Sequence, residues 1–337
     1  MGLALSLPPP PFPSLHALHI GVKPAAGGLD FFFPKQQEAR KLVEFVQTVL
    51  PCRYKEAQEL VTHDAHNNVY DYKHTYSVEI VPVCKDNIVC LSKKMAQSLG
   101  NMGRICVCLR VSNLVHLIDP NTGQTAEVSA ERYWRDPFES LCQPKQLVEY
   151  TVIDCEEADD PTRLNVGHGH VSRKHTVADV WLMRSSQLGQ AGVQQVHART
   201  HLGHLLNPGD QALAFDLANA NVNNDNFDEI EPAKRPDVVV VKKVYDRQLR
   251  RRRRKWRLKR LAEGALDGAS VEQDFDHFLE DLEEDEIGRR HVNIYRKTQQ
   301  SSAAASTAGG DDADFPTVSL AEMLDDLRLE DEEMPDA

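Results

Sequence analysis

Apolar residues recur as Ala39, Leu42, Val43, Val46, Val49 and Leu50, the three-and-four spacing that lines one side of an α-helix. This rhythm lies within a stretch from about Leu29 to Leu60, and Pro51 closes it; the pattern predicts an amphipathic helix packed on strands. From Tyr70 to about Leu141 the period falls to two. Tyr76-Ser77-Val78-Glu79-Ile80-Val81 alternates, 88–91, 105–111 and 115–118 are short apolar runs, and Lys85-Asp86-Asn87, Gly100-Asn101 and 119–123 carry turn residues. Short strands at close spacing predict a small barrel. A second set follows at 149–153, 177–183, 193–198, 212–217 and 238–244, with a polar interruption over 159–170. Five strands with loops of unequal length predict an OB-like barrel.

After Val244 the pattern of charge takes over. Twelve of the nineteen residues over 242–260 are cationic: Lys242, Lys243, Arg247, Arg250, Arg251, Arg252, Arg253, Arg254, Lys255, Arg257, Lys259 and Arg260. So many like charges repel one another and call for an anionic partner. The block reads as a nuclear import signal and as an arginine-rich RNA-binding helix, in which guanidinium groups grip phosphates while Tyr245 and Trp256 stack on unpaired bases; a merely solvated charged face is the weakest of the three readings. Nothing in it selects a base sequence, so affinity should rest on phosphates and fall steeply with salt.

Residues 272–286 hold nine acids and no base, and 301–310 are Ser, Ala, Thr and Gly. Such stretches bury too little apolar area to offset chain entropy, so disorder is expected. The acidic run also carries Phe275, Phe278, Leu279, Leu282 and Ile287, which makes it a candidate to fold back over the basic block. The last segment, 311–337, has eleven acids and one Arg around Leu320, Leu324, Leu327 and Leu329. That spacing puts three side chains on one helical face and a fourth just beyond, with Ser319 or Thr317 as N-cap. It has the outline of a helix that orders in a receptor groove, and leucine-rich nuclear export signals share it. The alternative is a segment that docks on its own barrels.

Within 337 residues, a hydrophobic share of 41% and a mean hydropathy of -0.46 leave room for two ordinary domains and an unpacked tail. The net charge of -12 conceals the cationic block. Seven cysteines without a C-x-x-C pair read as buried free thiols in a reducing compartment. Residues 1–20 are apolar but lack a cationic start and are broken by Pro8 to Pro11, which argues against a signal peptide or membrane span; Met1-Gly2 with Ser6 fits the loose N-myristoylation pattern. Histidines gather as His168, His170 and His175, then His197, His201 and His204. Without Cys partners these read as a loop and as polar barrel surface, with no metal. No phosphate loop, nucleophile elbow or H-E-x-x-H occurs, so no catalytic residue is assigned and no enzyme is expected.

Several literal strings point further: Gly28-Leu29-Asp30-Phe31-Phe32, Val49-Leu50-Pro51-Cys52-Arg53-Tyr54-Lys55, Val81-Pro82-Val83-Cys84-Lys85-Asp86-Asn87, Arg199-Thr200-His201-Leu202-Gly203-His204, Val292-Asn293-Ile294-Tyr295-Arg296 and Ser319-Leu320-Ala321-Glu322-Met323-Leu324. From about Gly21 to the C-terminus the chain resembles the nuclear export adaptors of the large ribosomal subunit, the nonsense-mediated decay protein three family. The resemblance implies a mainly β fold with some α. After an unmatched leader (1–20) and a partial α/β region (21–77) come an SH3-like barrel (78–142) and an OB-like barrel (145–245). A basic helical segment (242–262), a linker (263–316) and a disordered acidic tail (317–337) complete it.

It also implies a shuttling adaptor, present in nucleus and cytoplasm, that binds the large subunit and recruits an export receptor with Ran-GTP through the tail leucines. The basic block would engage an import receptor, and no membrane is involved. Members of the family begin with a zinc-binding domain built on C-x-x-C pairs. Residues 1–20 stand in its place here, so a form without those zinc sites, and without any cofactor, is expected. Two other readings of the residues stay open: a cytoplasmic RNA-binding translation factor, and an acidic chaperone for basic ribosomal proteins.

Overall fold

The computed structural model describes residues 21–25, 27–64, 66–158, 170–171, 174–189, 195–246, 250–251, 254, 256–258, 269–284 and 294–296. Two compact units divide the chain, one ending at Lys242 and the other beginning at Lys243. The leader, the 301–310 linker and the leucine-bearing tail fall outside the described residues, as do His168, Arg247, Arg252, Arg253, Lys255, Lys259 and Arg260.

The first unit begins with a small hairpin, β1 (Gly21–Ala25) on β2 (Gly28–Phe32). Its turn needs the left-handed backbone that Gly27 adopts at φ 82°. Helix α1 (Gln36–Val49) follows and ends where Leu50 turns extended before Pro51. Beyond the proline the predicted helical stretch gives way to strand: β3 (Cys52–Asp64) pairs with β4 (Val69–Ile80) as a long antiparallel ribbon.

One ribbon face carries Tyr54, Glu56, Gln58 and Leu60 opposite Val78, Tyr76, His74 and Tyr72. Helix α1 meets this face through Gln36, whose Nε2 donates to Glu56 Oε1 at 3.3 Å and Tyr76 Oη at 3.1 Å. On the other face Arg53 pairs with Glu79 and lies 3.7 Å from the centre of the Trp134 ring. The alternation at 76–80, read as the start of the barrel, thus belongs to this ribbon, and only Val81 enters the first barrel's core.

The next elements are β5 (Ile88–Cys90), α2 (Lys93–Ser98), β6 (Ile105–Val111), β7 (Leu114–Ile118), β8 (Gln124–Ser129), α3 (Ala130–Arg135) and β9 (Ser140–Cys142). They are followed by β10 (Val148–Glu157), β11 (His170–Val171), β12 (Ala178–Arg184), β13 (Val196–Thr200), β14 (Gln211–Asp216), α4 (Asp225–Asp228) and β15 (Val238–Lys243). One sheet has the order β11-β8-β7-β6-β5-β9 and the other β13-β12-β10-β14-β15. Ser92 and Ser129 start α2 and α3, each side chain accepting from the backbone N–H three residues on.

Several strands are apolar without alternation because both of their faces are covered. Val89, Cys106, Cys108 and Leu117 point into the first barrel beside Met95, Tyr133 and Phe138. Their neighbours Ile88, Cys90, Ile105, Val107 and Ile118 point the other way, onto Phe215, Leu217, Phe227, Val239 and Val241 of the second barrel. Along β15, Val238 and Val240 turn instead into the second barrel's own core with Tyr150, Val152, Val180 and Leu182. A third core therefore joins the two barrels, and a Lys242–Asp86 ion pair at 2.8 Å lies within the same unit.

In the second unit, β16 (Trp256–Leu258) pairs antiparallel with β17 (Ile294–Arg296), and α5 spans Ala269–Glu284. One expectation changes here: the acidic run is helical through Glu284 rather than disordered. In the basic segment Arg250 and Arg251 are helical, as expected, and Trp256–Leu258 is strand. The Arg250 N–H donates to the Asp246 carbonyl and the Arg254 N–H to the Arg250 carbonyl. Among the described residues no helix is long and apolar enough to cross a membrane.

Candidate nucleic-acid interface

Arg250 and Arg254 stand four residues apart and so share one face of their turn. Both reach Glu283: Arg250 Nε donates to Oε2 at 3.0 Å, and Arg254 Nε to Oε1 at 2.6 Å. Arg250 Nη2 also donates to Glu284 Oε1 at 3.2 Å and to the Glu280 carbonyl at 3.4 Å. Arg251 pairs with Asp276. The side chains of Arg250 and Glu283 are each only 6% exposed, so this is a buried ion pair and not a surface one.

An apolar seam accompanies the charges. Phe275, Leu279 and Leu282 recur at the spacing that shares one helical face, and Leu279 and Leu282 bury Trp256 with Phe275 and Leu258 at the margin. The Trp256 ring, 4% exposed, also has the Arg254 guanidinium 5.2 Å from its centre. Trp256 was expected to stack on a base, and here its faces are taken by the chain's own residues. Tyr245 lies between Lys243 and Arg250, 5.5 and 5.2 Å from its ring centre.

Of the predicted cations, Lys242 is tied to Asp86, Lys243 is buried beside Tyr245, and Arg250, Arg251 and Arg254 meet carboxylates of α5. Arg257 lies in β16. The acidic residues that complete this surface belong to the run whose apolar residues make it a candidate to fold back over the basic block, and in the structure it does so through Leu279 and Leu282.

The histidines behave differently from expectation. His175 of the first group packs against both His201 and His204, ring centres 5.4 Å away in each case. His201, read as barrel surface, is fully buried, because the turn after β13 is pressed onto the sheet. There a Cβ on Gly203 would come within 2.7 Å of the Ala178 Cβ. Burial pushes His201 down to about 3 and His175 down to about 4. His197 stays at the surface and meets Asp179 at 3.3 Å. Among the described residues no group of three or more His, Cys, Asp or Glu is placed to hold a metal ion.

The seven cysteines are free, but only Cys90, Cys106, Cys108 and Cys142 are buried; Cys52 and Cys155 are half-buried and Cys84 is exposed. Burial raises Cys90 to about 11 and Cys108 and Cys142 to about 12, so these thiols stay protonated at neutral pH.

Three profiles of one family match the sequence in order: the NMD3 second domain over 14–80, the NMD3 SH3 domain over 83–131 and the NMD3 OB-fold domain over 147–243. The chain belongs to the NMD3 family. The six-stranded sheet is the SH3-like barrel and the five-stranded sheet the OB-like barrel of that family. Relatives named 60S ribosomal export protein NMD3 include that of Homo sapiens, 50% identical over 316 residues, and that of Mus musculus, 49% identical over 316 residues. Each alignment covers 94% of this chain and 61% of the relative. The protein of the same name from Chaetomium thermophilum is 40% identical over 331 residues, covering 93% of this chain and 62% of that one. The chain thus spans about three fifths of the length of these NMD3 proteins.

Proposed function

We propose that the chain is a non-enzymatic adaptor in nuclear export of the large ribosomal subunit. The observation that carries this reading is identity near 50% across 94% of the chain with proteins named for 60S ribosomal export. The joined barrels supply a rigid body for the subunit's RNA and protein surface. The segment with Arg250, Arg251 and Arg254 contacts RNA phosphates and, at another stage, an import receptor. Leu320, Leu324, Leu327 and Leu329 recruit the export receptor with Ran-GTP. Such a bridge needs both ends occupied at once, so subunit and receptor reinforce each other's hold. The chain then shuttles between nucleus and cytoplasm, with no cofactor needed for these contacts.

The test combines co-sedimentation with location. The tagged chain should travel with large subunits in a sucrose gradient and collect in the nucleus when the export receptor is inhibited. A chain that sediments with subunits yet stays cytoplasmic under that block would be a translation factor instead.

A further inference from the structure

We propose that α5 is a built-in competitor for RNA, holding the basic segment closed until a phosphate chain displaces it. The proposal rests on the reading of that segment as an RNA contact and says how the contact is regulated. Arg250, Arg251 and Arg254 are each paired with a carboxylate of α5. The planar guanidinium fork that grips a carboxylate is the same group that grips a phosphate, so one partner excludes the other.

Charge alone would give a loose cover, since exposed ion pairs contribute little. The cover is held by more than charge: Leu279 and Leu282 close over Trp256, and Glu283 lies buried between two arginines. An aromatic face suited to stacking on a base is shut away by the same movement that neutralises the cations. RNA therefore sees a site whose open form is a minor population, and its apparent affinity is lowered by that fraction. Many phosphates in a row can exchange for the row of carboxylates, whereas a single small anion cannot match them.

The experiment measures binding of a fluorescent single-stranded oligouridylate RNA to the full chain across a salt series. One variant, L279S/L282S, loosens α5 without altering charge; another, E283Q/E284Q, removes the ion pairs of Arg250 and Arg254 with little change of shape. Hydrogen exchange over 269–284 reports whether the helix has been released. The expected result is faster exchange and binding about tenfold tighter in both variants, as when a docked form holds about nine tenths of the molecules. The dependence of log K on log salt should steepen by about 2, for three freed cations on a single strand.

Released helix with unchanged RNA affinity would overturn the proposal while leaving the RNA reading intact, and a gain seen only with an import receptor would do the same. A helix that stays protected in both variants also overturns it, because docking would then not depend on these contacts. If neither parent nor variants bind RNA, the RNA reading itself fails and the competitor falls with it.

Discussion

His201 shows how one buried polar side chain ties the OB-like barrel to pH. It is enclosed with His175 and His204, and all three are held below the ordinary histidine value of 6.5, mainly by burial. The unfolded chain takes up protons near pH 6.5, whereas folded His175 does so only near 4 and His201 near 3. Between those limits the unfolded state binds more protons, so stability is fullest above pH 6.5 and falls as the pH is lowered. Each such histidine should contribute a loss of about 1 kcal/mol per pH unit. Urea unfolding between pH 7 and about 5 should show this slope, and His201→Leu should flatten it; an equal slope in the variant would mean that the triad does not titrate this way.

Gly103 offers a steric case. Its N–H donates to Asp119 Oδ2 at 3.2 Å, and Asp119 also accepts from the Asn121 N–H and the Thr122 hydroxyl. A Cβ at residue 103 would lie 2.5 Å from that oxygen. Gly103→Ala should therefore push Asp119 out of the turn between β7 and β8 and cost about 1–3 kcal/mol in urea unfolding.

Strands covered on two faces set the behaviour of the elements. Ile118 belongs to the core that joins the barrels, and Leu182 to the core of the OB-like barrel alone. Truncating either to Ala should cost about 2–5 kcal/mol. Because the joining core leaves neither barrel with a free apolar flank, both variants should shift one shared unfolding transition. Two separate calorimetric transitions, with only one moved by Leu182→Ala, would show that the barrels fold independently.

The same packing explains what could be read from sequence. The runs at 88–91, 105–111, 115–118 and 238–244 were legible as strands because continuous apolar stretches of that length suit a doubly buried strand. The five OB-like strands were legible at nearly their observed places. Strand β3 was not. Residues 53–60 are exposed along most of the ribbon, so Arg53, Lys55, Glu56 and Glu59 carry no burial pattern, and the helical rhythm before Pro51 was extended over them. Helix α5 was obscured in another way. Nine acids in fifteen residues outweigh four apolar ones when composition is counted, so disorder was the expectation there, although Phe275, Leu279 and Leu282 form the seam by which the run folds back. His201 could not be placed from sequence, because its burial depends on the turn after β13 folding back onto the start of β12, where Gly203 meets Ala178.

At the scale of the whole chain, the question is whether subunit binding and transport are separable. The body that would hold the subunit is built by 21–243, whereas the leucines that would engage the receptor lie more than seventy residues further on. An amphipathic segment that short is marginal as a free helix in water, so it should order only on its receptor. Replacing Leu324 and Leu327 by Asp removes two of its anchors while adding to a charge that is already negative. The expected outcome is nuclear accumulation of the variant, together with large subunits that still co-sediment with it at the parent level. An acidic chaperone would behave otherwise: its binding would survive the change, or improve, and its location would not move. If the Asp variant still reaches the cytoplasm at the parent rate, the tail is not the transport handle and the bridge between cargo and receptor must be made elsewhere in the chain.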